Sequence, residues 1–302
     1  MFPPDLPIVD AHHHLWDLRD NNHPWLGCEP EKDFFLGDYA ALKRNYLPED
    51  YRRDAGELPV VKTVHVEAEW RRCDQFGETV WLADQHARHG LPSAIVAHAW
   101  FHTENAAEVL AKQAGHPLVR GIRSKPVTAA RPGLSVAGRP GTMSDPRWRE
   151  GFARLAEHGL SWDLRVPYWH LCEAAELVWH YPDIPVVLNH TGFPWDRSAS
   201  GLAAWRSAMR TIAEVPHVHL KVSEFGLADA AWDYEDNRRV VEAALDIFGI
   251  ERCMFASNFP VAGLRVDYQS LVAGVYRMLS DLDRQAQRAF FHDNADRFYR
   301  LT

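Results

Sequence analysis

Paired cysteines are missing from this sequence. Cys28, Cys73, Cys172 and Cys253 lie far apart with no C-x-x-C pair. That fits a reduced, cytoplasmic protein better than a disulfide framework or a zinc knuckle. Long apolar runs are missing as well. No stretch of about 18 apolar residues occurs, so no membrane-spanning helix is expected. The N-terminal MFPPDLPIVD lacks the charged-then-apolar form of a secretory signal. Positive charge is in deficit, with 33 Lys+Arg against 41 Asp+Glu and a net charge of -8. A uniformly basic nucleic-acid surface is not expected, although a local basic pocket is compatible with that balance. There is no fixed-length repeat and no low-complexity linker, so residues 1–302 read as one domain.

What is present is an ordinary globular composition, 46% hydrophobic, 25% charged and 12% aromatic. Eight short apolar, β-branched segments read as strands: 7–13, 61–68, 93–99, 118–124, 160–166, 184–191, 217–223 and 252–258. Amphipathic helices lie between them. Leu171, Ala174, Ala175 and Val178 recur at helical spacing, as do Tyr268, Leu271, Val272, Val275 and Leu279. Asp145 before Pro146 reads as a helix start, and Gly159 and Gly249 as helix stops. Strands alternating with helices predict an α/β fold, a single (β/α)8 TIM-type barrel. An open doubly wound sheet is the runner-up, weakened by the lack of G-x-G-x-x-G after the first strand. Residues 15–58 and 125–144 depart from the alternation and read as elaborated loops at the catalytic mouth.

In such a barrel the C-terminal strand ends meet around one mouth. Polar residues stand at all eight. Period two puts Asp10, His12 and His14 on one face with His13 opposite. It likewise groups His65, Glu67 and Glu69, then Asp163 and Arg165, then His219, Lys221 and Ser223. His98, Arg123, Asn189 with His190, and Ser257 with Asn258 complete the set. A lone buried histidine is usually a satisfied core residue. Convergence favours a site role for His12, His14 and His190 and leaves His65, His98 and His219 between the two readings. Trp16, Trp25, Trp70, Trp100, Trp169 and Trp195, just beyond strand ends or in the long first loop, read equally as an aromatic wall for a ring substrate or as packing under long loops.

The segments "IVDAHHHLWD", "VLNHTGFP" and "MFASNFPV", with "HVEAEW" and "VRGIR", resemble the amidohydrolase superfamily. More narrowly they resemble its lactonase branch, which includes 2-pyrone-4,6-dicarboxylate and sugar lactonases. The resemblance spans residues 8 to about 300. It implies His12 and His14 facing the substrate and His190 across the mouth. It also implies arginines that grip a substrate carboxylate, with Arg123 the best match and Arg165 a second. In many members the strand-eight motif carries an aspartate as general base; here Asn258 stands there, and an amide takes no proton at neutral pH. Glu67 and His190 are then the candidate bases.

A two-metal centre is not expected, because arginines near the mouth repel a dication and an amide is a weak zinc ligand. The expected enzyme is a metal-independent hydrolase of a small anionic lactone or related cyclic ester. Its alternative metal state is a single zinc on His12, His14 and His190. Two rival readings stand beside it: a metal-dependent decarboxylase of an aromatic or pyrone acid, and a non-catalytic binding relic. A homo-oligomer is compatible with the sequence.

Overall fold

The computed structural model describes residues 2–20, 22–228 and 230–301. Eight parallel strands lie side by side in chain order, each paired with its successor. They are β1 (Ile8–His13), β2 (Val60–Val66), β3 (Ala94–Ala97), β4 (Val119–Ile122), β5 (Ser161–Leu164), β6 (Val186–Leu188), β7 (Val218–Val222) and β8 (Cys253–Phe255). The sheet closes on itself beyond the last strand. Asn258 N–H donates to His12 O and His14 N–H to Phe259 O, both at 2.7 Å. The result is the (β/α)8 barrel. Among the described residues no helix is long and apolar enough to cross a membrane.

The helices are α1 (Pro48–Ala55), α2 (Gly77–His89), α3 (Ala106–Ala114), α4 (Pro146–His158), α5 (Leu171–Trp179), α6 (Ala199–Ala213), α7 (Tyr234–Phe248), α8 (Tyr268–Met278), α9 (Arg284–Arg288) and α10 (Asn294–Tyr299). Their limits follow local chemistry. Asp145 caps α4 by accepting from Arg147 N–H, with proline in the first turn, and Gly159 ends the helix at φ 61°. Gly249, at φ 75°, ends α7.

Two apolar layers result. Outward strand residues such as Trp162, Leu164, Val186 and Leu220 join the helices in one cluster. Val9, Ala11, Val64, Val66, Val96, Val187 and Met254 form a second, which no residue of α1 to α9 enters. Phe298, Tyr299 and Leu301 belong to it, so α10 and the residues after it plug the N-terminal end of the barrel. The mouth lies at the opposite end. Of the two irregular loops, residues 15–58 contain α1 and two 3-10 turns, Pro24–Leu26 and Ala40–Leu42.

Candidate active site

One cavity of about 330 Å³ opens at the mouth, lined by His14, Trp25, Glu31, Phe34, Phe35, Glu69, Arg72, Trp100, Arg123, Lys125, Arg165, His190 and Asn258, among others. A larger hollow of about 530 Å³ sits on the flank between Trp16, Arg44, Tyr46, Phe259 and Gln269 and holds none of the strand-end histidines. The first loop contributes Trp25, Glu31, Phe34 and Phe35 to the mouth; from 125–144, only Lys125, Pro126 and Val127 reach it. Glu69, His190, Thr191, Phe193, Glu224 and Asn258 all follow strands and all adopt positive φ. Strained backbone of this kind is concentrated at functional sites in proteins generally.

The alternation expected along β1 fails. The register slips between Asp10 and His13, so the Asp10 side chain turns away from the His12 and His14 rings, although it still accepts from His12 N–H. Its carboxylate accepts from Tyr51 and Tyr268 hydroxyls and from the Ser257 hydroxyl and N–H. On β2, His65 likewise points outward. Its Nε2 meets Glu78 Oε1 at 3.1 Å and its Nδ1 accepts from Leu15 N–H, which makes it a satisfied core histidine. Glu67, past the end of β2, goes the other way, to Arg123. His219 packs on Phe298 at the plugged end, far from the mouth chemistry.

The arginines differ in their partners. Arg123 Nε donates to Glu67 Oε1 at 2.5 Å, Nη2 to the Glu67 carbonyl, and Nη1 lies 3.4 Å from His12 Nε2. Three of its five N–H groups are thus engaged and two remain. Burial alone would raise Glu67, but Arg123 and Lys125 outweigh it and hold the carboxylate well below its usual range. Its second oxygen accepts from Glu69 N–H, so both oxygens are already engaged. Arg165 is the contrasting case. Among the described residues it makes no hydrogen bond or ion pair; its guanidinium lies over Phe193 at 5.1 Å and Phe35 at 5.7 Å, beside the cavity.

Three histidines surround the floor. His12 and His190 rings are 4.6 Å apart, His12 and His14 5.0 Å. Burial, reinforced by nearby cations, holds all three well below the ordinary histidine range, so they are neutral at pH 7. His190 Nδ1 bonds Ser223 Oγ at 3.0 Å. His14 Nδ1 meets the Val66 carbonyl at 2.7 Å and its Nε2 meets Asn258 Oδ1 at 3.1 Å. The Asn258 Nδ2 contacts Glu224 Oε2. Below them Lys221 donates to Asp163 Oδ2 at 2.5 Å and lies 3.5 Å from His12 Nδ1. Tyr299 and Asn189 also donate to Asp163. Burial outweighs Asp163 and pulls Lys221 down to about 8.

These contacts test the ligand set His12, His14 and His190. Both His12 nitrogens face cationic side chains, and both His14 nitrogens already have partners, so the set does not fit a dication. The donors that do gather, within 4.8 Å of one another, are Glu67, Glu69 and His98. Arg123 and Lys125 pair with those carboxylates.

Three expected substrate contacts do not line the cavity. His98 is buried with Nδ1 4.0 Å from Glu67 Oε2. Trp16 is wholly buried, donates to the Arg44 carbonyl and lies against the His14 ring. Trp195 packs on Phe193 and Phe35. Each supports residues that reach the mouth, because hydrogen bonds or ring packing draw it behind them. Glu224, Lys125 and Arg72 went unnoticed in the sequence, whereas Trp25 and Trp100, two of the expected aromatic-wall residues, do line the cavity. An acid directly following strand seven was the available signal for Glu224.

Comparison with known proteins finds relatives that span nearly the whole chain. The chain is 38% identical over 299 residues to the uncharacterized protein y4mH of Sinorhizobium fredii, covering 98% of this chain and 99% of that one. It is 27% identical to an L-fucono-1,5-lactonase of Burkholderia multivorans, covering 97% and 96%. A crystal structure of an amidohydrolase from Burkholderia multivorans with bound zinc superposes with a TM-score of 0.81 at 25% identity, covering 98% of this chain and all of the other. The amidohydrolase family profile matches residues 9–301. The chain belongs to the amidohydrolase family.

Proposed function

We propose that the protein hydrolyses a small, carboxylate-bearing lactone with an activated water and without a metal in the step. The observation that carries this reading is Arg165, a half-buried guanidinium with no ion partner among the described residues, set at the wall of a cavity that also holds His190. A cation partly withdrawn from water gains by meeting an anion that a ligand supplies, and a carboxylate matches its fork. The L-fucono-1,5-lactonase relative supports the lactone class.

In this scheme His190 is the base. With Nδ1–H donated to Ser223, Nε2 carries the lone pair and takes a proton from water as hydroxide attacks the lactone carbonyl. The two uncommitted N–H groups of Arg123 stabilise the resulting oxyanion. The ring C–O bond then breaks, and the leaving alkoxide takes the proton back from His190. Trp25, Phe34, Phe35 and Trp100 flank the ring. No step requires a dication, and the cations around His12 disfavour one there.

Two measurements test the reading. A lactone panel with a pH indicator, run alongside metal analysis, is expected to show turnover that survives chelation. One equivalent of metal whose removal abolishes turnover would replace the metal-free scheme with one drawing on Glu67, Glu69 and His98. Arg165→Met is expected to raise KM about 10- to 100-fold for an anionic lactone, the loss of one charge-assisted pair. A neutral lactone should be little affected. Equal effects on both would mean that Arg165 only supports Phe35 and Phe193.

A further inference from the structure

The donors and acceptors around His14 do not balance as the atoms stand. A neutral imidazole has one N–H and one lone pair, yet both ring nitrogens face oxygens, the Val66 carbonyl at 2.7 Å and Asn258 Oδ1 at 3.1 Å. A backbone carbonyl can only accept, so Nδ1 keeps the proton. Nε2 then needs a donor. Turning the Asn258 amide by half a rotation supplies one, since amide oxygen and nitrogen are assigned from just such networks. The rotation moves Oδ1 against Glu224 Oε2. Two acceptors cannot share that contact unless the carboxyl carries a hydrogen.

We propose that Glu224 is a positioning residue for the reaction: as a protonated carboxyl it donates to Asn258 Oδ1 and thereby fixes Asn258 Nδ2 as a hydrogen-bond donor to His14. The order is Val66 C=O, His14 Nδ1–H, His14 Nε2, Asn258 N–H, Asn258 Oδ1, Glu224 O–H. Every polar atom in it is then paired. The second Asn258 N–H is left for an acceptor on the bound molecule, because Asn258 lines the cavity. An aspartate in this place could offer the substrate an acceptor; the asparagine held this way offers a donor.

The surroundings favour the hydrogen on Glu224. The residue is 4% exposed, and burial pushes its carboxyl up to about 7, with the unturned Asn258 amide, Gly226 N–H, Arg165 and Arg265 holding it down. Turning the amide removes the first of these restraints. Arg265 is itself committed to the Leu227 and Leu36 carbonyls, and Arg165 stacks on phenylalanines. No charged group among these pairs directly with the carboxyl.

The device predicts a direction with pH. As pH rises, Glu224 ionises and demands a donor. The amide turns back, and His14 Nε2 loses its partner, so activity falls on the alkaline side of neutrality. Glu224→Ala should lower kcat about tenfold or more. Glu224→Gln, which can still donate to Asn258, should restore most of that loss and remove the alkaline fall.

This pH test rests on the lactone-hydrolase reading, so a readout without turnover accompanies it. Nitrogen-15 histidine spectra of the folded protein, with the His14 signals identified by His14→Gln among 17 histidines, report the tautomer directly. The expected result near pH 6.5 is a protonated Nδ1 and a bare, hydrogen-bonded Nε2. Infrared difference spectra between wild type and Glu224→Gln should show one protonated carboxyl. A protonated Nε2 on His14, or an ionised Glu224 at that pH, overturns the proposal even in a protein that hydrolyses lactones. The expected spectra in a protein inactive on every lactone would instead keep the network and discard the substrate class.

Discussion

His190→Asn is expected to lower kcat by about 10²- to 10⁴-fold, the usual worth of a positioned general base, with KM changed far less. The expectation follows from comparing the two candidate bases the sequence offered. Glu67 has both oxygens engaged, Oε1 by Arg123 and Lys125 and Oε2 by Glu69 N–H, and does not line the cavity, whereas His190 does. His190 is neutral at pH 7, and its Nδ1 is fixed on Ser223. Because its folded-state pKa lies well below 6.5, the base stays unprotonated as pH falls through 6.5, and the acid limb of kcat/KM should lie below that value. A stability effect of the same sign accompanies it. His12, His14 and His190 resist protonation when folded but accept protons freely when unfolded. Stability should therefore be full above 6.5 and decline as pH falls below it. A His190→Asn variant with near wild-type kcat would return the proton transfer to another group and end the scheme.

Arg123→Met should cost about 10²- to 10³-fold in kcat, the loss expected when an oxyanion donor is removed. It should also destabilise the fold by about 3–5 kcal/mol, because Glu67 is left buried beside fewer cations. Urea unfolding beside the assay separates the two, and Arg123→Lys adds a second handle. Lysine retains the charge that Glu67 needs but not the planar fork, so a folded, slow enzyme is expected. If either variant instead raised KM for anionic lactones with kcat intact, Arg123 would be the carboxylate clamp and Arg165 would not.

That choice between arginines shows where sequence reading stops. Both stand at strand ends, and spacing along the chain cannot tell which one meets an acid. Glu67 decides it, from the end of β2 with β3 between, by reaching Arg123 and leaving Arg165 with only aromatic rings. The barrel itself was legible because eight apolar segments and their polar ends carry a periodicity that needs no partner information. The slip between Asp10 and His13 was not. Strict alternation put Asp10 beside His12, whereas one extra residue in the strand sends it to Tyr51 and Tyr268. Asn258 was visible as a departure from its motif. Its partner Glu224 was not, since the two are 34 residues apart and meet only when the last two strand ends converge.

The seam between β1 and β8 bears on how the chain reaches its native state. His14 and Asn258 are 244 residues apart in sequence, and Asn258 N–H reaches the His12 carbonyl across the same closure. Contacts this non-local form slowly, whereas isolated helices form within about a microsecond. The parts of the hydrolytic centre are therefore brought into register only by the step that shuts the ring. In a refolding experiment helical ellipticity should return first and catalytic competence last, so recovered turnover reports complete closure of the barrel and not merely its collapse.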